Sequence, residues 1–482
     1  MLEFNLSYIF GKHVTAPILI WFLWQLFKEF TKGKYSVATK TQDDCEIRYT
    51  IPETTKSWEP IKLMREQVVP IKEEEKENYQ LWEETEPYPY KPFKPGEHKL
   101  TMDVSTIPIS YWVVMDKSYK DHILKKWNIL VTDYEDVVFH LDPVMINAES
   151  GKTVSQEKMN TEIIITEDDV HHADETLCEL YSNLVSYLVC RFPQYFRVVL
   201  GPGTTPGALY NTILGEYHPV DPVLYLKLSS DVPSCVNYEC FNTHVIPESL
   251  TKNLDVLKDE VGYRVLISCD KTRRAHELIL AMTRLVEDDL TLLSGNTAGQ
   301  YNDEVILYSG IFAFGSGFNP RSKFLRPLTQ IHGPVPGYKN HLQSPMNRFF
   351  ARLKPNKLAY RVNYAFQKHG RFYSQSRMTN NPATEKLSGG DAMHYRSERQ
   401  TLIKLKTTEG RDTLVFGLKT YLLNFREEIL RNSFYSQPHI MEELRQAVMG
   451  INGTFGKYKG KTQWGAPLME IIEQHQRTNQ VH

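Results

Sequence analysis

The chain has 482 residues, 41% hydrophobic and 24% charged, long enough for two or three domains or for one large domain with a flexible front. Its 56 basic and 58 acidic residues leave a net charge of −2, which excludes bulk electrostatic attraction to nucleic acid. The six cysteines form no CxxC pair, which argues against a zinc ribbon, an iron–sulfur motif or a dense disulfide framework and leans toward a reducing compartment.

Residues 1–35 differ from the rest and read as an N-terminal hydrophobic anchor. The stretch 14–27 is almost wholly apolar, and Trp21 and Trp24 suit an interfacial belt. It is shorter than the roughly 20 residues of a full bilayer span. Extending it back to Leu6 takes in Gly11, Lys12 and His13. A signal anchor, a cleaved secretory signal and an amphipathic targeting segment compete. Lys28, Glu29 and Phe30 follow instead of a small-residue cleavage site, which favours an uncleaved anchor. Lys28, Lys32, Lys34 and Lys40 follow it against Lys12 before it, so the positive-inside rule puts the body on the cytosolic side. The expectation is a single-pass, membrane-anchored protein, with the endoplasmic reticulum as a candidate membrane.

Residues 36–97 read as a charged, proline-rich linker. The run Lys72-Glu-Glu-Glu-Lys-Glu77 and the segment Pro87-Tyr-Pro-Tyr-Lys-Pro-Phe-Lys-Pro95 suit an extended, solvated tether. The folded body is expected over 98–450, with a polar tail over 451–482. Helical spacing appears over 118–130, with Tyr119, Ile123, Leu124 and Trp127 near one face, and over 168–192, where acidic residues lead and Pro193 follows. His171 and His172 at the start of that second helix read as a solvated surface pair. The stretch 196–263 is irregular, and its Gly201-Pro-Gly-Thr-Thr-Pro-Gly207 resembles no phosphate loop. A helix over 275–287 runs into Val286-Glu-Asp-Asp-Leu290, and 305–314 has β character. A short helix over 344–353 precedes strands over 359–366, 395–405 and 413–421, and 438–450 is helical. The fold class is α+β: a helical front part and a strand-rich, antiparallel core.

Two stretches carry candidate chemistry. Gln330-Ile-His-Gly-Pro-Val-Pro-Gly-Tyr338 sets His332 between an apolar run and a stiff turn, because Pro334 and Pro336 each fix φ near −65° and restrict the residue before them. Such a segment either holds an axial metal or haem ligand or is a structural turn with an incidental histidine. On the strand Arg396-Ser-Glu-Arg-Gln-Thr401, alternation puts Arg396, Glu398 and Gln400 on one face and Ser397, Arg399 and Thr401 on the other. That pattern suits either an exposed ion pair or a buried Arg–Glu pair that positions substrate and manages protons.

Several segments in order resemble the haem-dependent oxidative N-demethylase family, whose fungal members are also called the HRQ family. They are Tyr111-Trp, Asp116-Lys-Ser-Tyr119, Glu179-Leu, Arg191-Phe-Pro193, Val286-Glu-Asp-Asp-Leu290, Pro327-Leu-Thr-Gln-Ile-His-Gly-Pro-Val-Pro-Gly337, Arg361-Val-Asn363, Arg396-Ser-Glu-Arg-Gln-Thr-Leu402 and Phe416-Gly-Leu-Lys-Thr-Tyr421. The resemblance implies a PAS-like core at about 300–425 that binds haem b. It implies His332 as the axial iron ligand, with Pro334, Pro336 and Arg399 at the cofactor site, and Arg396 and Glu398 as the distal catalytic pair. The implied activity is O₂-dependent oxidation of a small methylated amine, releasing formaldehyde. Between Phe314 and Leu328 the chain departs from the bacterial pattern, which bears on the substrate.

Haem O₂ chemistry needs electrons, usually from a reduced nicotinamide through a flavin or iron–sulfur relay. The chain has no GxGxxG fingerprint after a strand and no cysteine cluster, so a separate NAD(P)H-dependent reductase is expected. A non-catalytic haem sensor or carrier and a haem-free, membrane-tethered scaffold are the alternatives to an oxidoreductase.

Overall fold

The computed structural model describes residues 81–141, 145, 164–199, 208–222, 274–295, 304–355, 357–375, 393–405 and 411–480. The expected anchor, the charge run at 72–77 and the glycine-rich stretch 201–207 lie outside them. Among the described residues no helix is long and apolar enough to cross a membrane.

In chain order, strand β1 (Ser105–Ile107) precedes helix α1 (Tyr119–Val137) and strand β2 (Val138–His140). Helix α2 (Glu167–Arg191) follows. Its start is fixed by a capping box, in which the Asp169 N–H donates to Thr166 Oγ1 at 3.2 Å and the Thr166 N–H donates to Asp169 Oδ2 at 2.9 Å. Glu167 and Asp168 in its first turn and Arg191 in its last suit the helix dipole. Strands β3 (Phe196–Val199), β4 (Ala208–Asn211) and β5 (Glu216–Pro219) form a small antiparallel sheet in a stretch expected to be irregular. Helix α3 (Arg274–Leu285) leads to strands β6 (Asp289–Gly295) and β7 (Val305–Ile311). Three short helices come next: α4 (Leu328–His332), α5 (Tyr338–His341) and α6 (Gln343–Arg352). The long strands β8 (Leu358–Gln367), β9 (His394–Lys404) and β10 (Thr413–Asn424) follow, and helices α7 (Pro438–Gly450), α8 (Gly453–Tyr458) and α9 (Lys461–Gln480) end the described chain.

The main sheet has seven strands in the order β1-β8-β9-β10-β6-β7-β2, every pair antiparallel. The mixed helix and antiparallel-strand class expected from the sequence is therefore present. Asn363, Glu398 and Thr420 lie side by side across β8, β9 and β10. Directly opposed residues share a face, so Arg361, Asn363, Arg396, Glu398, Gln400, Leu402, Phe416 and Leu293 all project to one side, the inner face. Tyr360, Tyr364, Tyr395, Arg399, Lys419 and Tyr421 project to the other, the outer face. Where β6 and β7 cross, Gly310 takes φ +127°, and a Cβ there would collide with the Leu290 carbonyl, so only glycine lets the strands approach.

Both faces are covered. Helices α4 and α6 lie over the inner face. The outer face takes α2 at one end and α7 and α9 at the other, where Trp464, Leu468 and Ile472 pack with Tyr364, Phe366 and Tyr395. The expected polar tail is thus partly core: a helix is apolar only along one stripe, and its polar majority hid that stripe.

The proline-rich segment is a second correction. Tyr90 and Phe93 are buried, Phe93 at 1% exposure, and 87–95 lies along the outer face as a strap. The Tyr90 carbonyl accepts from the hydroxyls of Tyr435 at 2.7 Å and Tyr395 at 3.3 Å. Gly96 meets the end of α7, where a Cβ on Gly450 would overlap the Gly96 carbonyl. Prolines here pre-set an extended chain for docking rather than keep it in water. His172 is a third: it is 3% exposed, and its Nε2 lies 3.0 Å from the hydroxyls of Ser294 and Thr413. Strand β6 is a fourth. The acidic triplet 287–289 disguised its start, and the structure neutralises it with buried lysines. Lys126 Nζ donates to the Glu287 and Asp288 carbonyls at 2.7 and 2.9 Å and pairs with Asp289 at 3.0 Å.

If the strap is part of the core, Phe93→Ala costs about 3–5 kcal/mol, measured by urea denaturation of the full chain. A loss below about 0.5 kcal/mol, the usual effect of a surface substitution, would restore the solvated-linker reading.

Candidate functional site

A pocket lies between the inner face and the helices over it. Its floor is Leu293, Leu307, Leu402, Leu414 and Phe416, and Leu328 and Ile331 of α4 form the opposite wall. Phe312, Phe318 and Phe350 close its sides. The apolar lining is that of small-molecule and cofactor sites. Two groups that can carry charge interrupt the lining, Lys323 and His332.

His332 is the last residue of α4 and is 2% exposed. Gly333 still takes helical angles (φ −47°, ψ −45°), but Pro334 after it has no N–H to continue the helix. The chain then turns tightly: the Val335 N–H donates to the His332 carbonyl at 2.9 Å, and Gly337 takes a left-handed φ of 80°. Tyr338, brought back by this turn, sets its ring 4.5 Å from the imidazole. Burial holds the His332 imidazole far below its ordinary pKa, and the charge of nearby Lys323 adds to the effect. The ring is therefore neutral at physiological pH, the form that ligates a metal. Lys323 is pushed the same way by burial and by Arg326. No feature of the sequence marked this lysine as buried.

Arg396 and Glu398 project from β9 to the same inner face, beyond Leu402. Successive residues rise about 3.3 Å, so Glu398 stands roughly 13 Å along the strand from Leu402. Neither lines the cavity wall given above. Arg396 is fully buried and its guanidinium is committed: Nε donates to Gln367 Oε1 at 2.9 Å, Nη1 to the Phe314 carbonyl at 2.9 Å, and Nη2 to the Phe372 carbonyl at 2.7 Å. It ties two loops to the sheet, and its Nη1 is 4.0 Å from Glu398. Glu398 accepts from Asn363 Nδ2 at 3.0 Å. Burial raises its pKa against the pull of Arg396. A buried carboxyl with one amide partner can accept a cationic amine or hold a proton. The exposed-ion-pair reading of this strand does not survive, since all of β9 beyond His394 is buried.

Arg399 does not join His332. It projects to the outer face, where Nη1 donates to the Trp112 carbonyl at 2.9 Å, Nη2 donates to the Tyr111 carbonyl, and the guanidinium stacks 5.4 Å from the Tyr360 ring. Strand alternation separates it from Glu398, and its donors are committed to backbone. Nearby, Lys419 Nζ is held by Glu287 at 2.5 Å, Asp116 at 2.9 Å and the Val114 carbonyl at 2.9 Å. Tyr421 donates to the same Asp116 carboxylate at 2.7 Å. Although burial opposes it, the Lys419 charge and these hydrogen bonds lower Asp116 to about 2.

Residues 240–469 match the family model described as haem-dependent oxidative N-demethylase, alpha subunit-like. Over these residues, just under half of the chain, the sequence is similar to that family. The family segment contains β6 to β10, the cavity floor, His332 and both strand arginines. The segments Tyr111-Trp to Arg191-Phe-Pro193, read from sequence as part of the resemblance, lie before it. No curated protein matches the chain.

Replacing Lys419 with Met removes the lysine that Asp116 and Glu287 share, both of them buried, and costs about 3–5 kcal/mol, measured by denaturant unfolding at neutral pH. The stability from the depressed Asp116 pKa is full above the ordinary value of 3.8 and lost as pH falls through about 2. In the Met variant that loss begins at higher pH. An unchanged acid limb in pH-dependent melts would separate Asp116 from Lys419.

Proposed function

We propose that the chain is a haem-dependent oxidoreductase that oxidatively demethylates a small methylated amine, releasing formaldehyde. The family match supports this reading. The observation that carries it is one imidazole, His332, kept neutral in the wall of an apolar cavity on the sheet face that also presents Glu398. In this reading β6 to β10 and the helices over their inner face are a PAS-like ligand-binding core.

The residues fit haem b. His332 would hold the iron, and Leu402, Leu414, Phe416, Phe312 and Phe350 would supply apolar surroundings for the macrocycle. Pro334 and Pro336 limit the freedom of the turn after His332, so little order is lost on ligation. When bound, haem supplies the activation of O₂ for oxidation at an N-methyl carbon. Glu398 accepts the N–H of a protonated amine and orients its methyl group, and its raised pKa lets it hold the amine's proton in turn. Asn363 fixes the rotamer of Glu398. Arg396 acts as a positioning residue, holding the loops at Phe314 and Phe372. Phe312, Phe318 and Phe350 exclude water from the His332 pocket.

Overall, one methylated amine, one O₂, two electrons and two protons yield the demethylated amine, formaldehyde and water. The electrons come from a separate NAD(P)H-dependent reductase. An anchor at 1–35 with the body facing the cytosol would set the body beside a membrane-bound reductase.

Full-length protein expressed with added haem is expected to show a Soret band, and His332→Ala is expected to lose it. Haem-free wild-type protein would sink the proposal. Glu398→Gln is expected to keep the Soret band while slowing amine-dependent O₂ consumption and formaldehyde release about 100-fold or more. If wild-type protein binds haem yet turns over no methylated amine, the haem-sensor reading takes its place.

A further inference from the structure

Three buried arginines stand on β8 and β9, and they are treated differently. Arg396 and Arg399 each donate to backbone carbonyls. Arg361 is 4% exposed, and none of its three guanidinium nitrogens has a hydrogen-bond partner. Gln400, 1% exposed, stands directly opposite it across the β8–β9 ladder, and neither end of its amide has a partner. One register step away, Asn363 Oδ1 also lacks a partner. Directly opposed residues have Cβ atoms about 4.5–5.5 Å apart, within easy reach of each other, yet Arg361 does not donate to the Gln400 carbonyl. The acids whose charge reaches Arg361 are Asp103 and Glu398, and it donates to neither.

An unpaired buried guanidinium is among the costliest arrangements a sheet can carry. Its retention beside an idle amide is accounted for if both meet a ligand. A guanidinium presents a planar fork that matches two oxygens in a plane, and the Gln400 amide adds a further donor. Phosphate would add a third oxygen and more charge, for which no second free cation is present here among the described residues.

We propose that Arg361 and Gln400 form a carboxylate-binding subsite on the inner face, beside Glu398. Glu398 is the diagonal neighbour of Arg361, about 7–8 Å away between backbones. An amine held by Glu398 and a carboxylate held by Arg361 are thus separated by the span of a small zwitterion. Two sources present a carboxylate there: a haem propionate, or the acid group of an N-methylated amino acid. The link to an amine rests on the function proposed above; the carboxylate subsite rests on Arg361 and Gln400 alone.

The test compares full-length wild-type protein with Arg361→Leu and Arg361→Lys. Without ligand, Arg361→Leu is expected to melt at the wild-type temperature or a few degrees higher, because it removes an unpaired buried charge. A fall of about 4 °C or more would mean that Arg361 holds the fold and would overturn the proposal. Haem and its dimethyl ester are then titrated by absorbance, and N-methylglycine and dimethylamine by calorimetry on haem-free and haem-loaded protein. A charge-assisted fork makes the carboxylate form about ten- to a hundred-fold tighter. If haem beats its ester by that factor, and Arg361→Leu loses the preference, the ligand is a propionate. If N-methylglycine beats dimethylamine and Arg361→Leu loses that, it is a substrate acid. Arg361→Lys is expected to keep part of whichever preference exists. Equal affinities in both pairs overturn the proposal. Should wild-type protein bind no haem, the proposed function fails, and N-methylglycine binding to the haem-free protein still decides the subsite.

Discussion

A strand buried on both faces that carries charge on both faces must find every partner inside the protein. Strand β9 is in that position: Arg396 and Glu398 point inward, Arg399 points outward, and all are buried. The partners are segments drawn in from elsewhere. Arg396 fastens the loops at Phe314 and Phe372, and Arg399 fastens the turn at Tyr111 and Trp112. On β10, Lys419 gathers Val114, Asp116 and Glu287. Such pairs add little net stability over apolar packing, but each is satisfied in one arrangement only. They select which loops lie over the sheet, and hence what shape the cavity beneath them takes.

The two faces differ in how their charged donors are met. On the outer face the described arginine and lysine donors end on carbonyls or carboxylates. On the inner face Arg361, Gln400 and Asn363 retain unmatched atoms. An outer face of that kind is a fastening surface, and an inner face of this kind suits a ligand. The distinction follows strand alternation, so neighbouring residues such as Glu398 and Arg399 serve different ends.

Much of this was legible in the sequence. Period-two alternation separated Glu398 from Arg399. The start and end of α2 followed from its acidic first turn and Pro193. What was hidden was hidden for one physical reason: hydrophilic residues that the fold buries. The acidic start of β6 looked like a helix end because its lysine partners lie at Lys126 and Lys419, far away in sequence. His172 looked like a surface residue because its hydroxyl partners come from β6 and β10. The strap around Tyr90 looked like a tether because its prolines and lysines outweigh the two aromatics that dock. In each case the deciding partner is remote, and local composition cannot report it.

The strap has a further consequence, for the order in which the molecule can be completed. The Tyr90 carbonyl waits for the hydroxyl of Tyr435, 345 residues later in the chain, and Lys91 waits for Glu443. A ribosome adding about 5–20 residues per second delivers that partner roughly 17–70 s after Tyr90 itself. Tyr364, Phe366 and Tyr395, made near the end of that interval, stay uncovered until the C-terminal helices that pack on them follow. The end of the outer face beneath α7 and α9 is therefore closed only after those helices have been made.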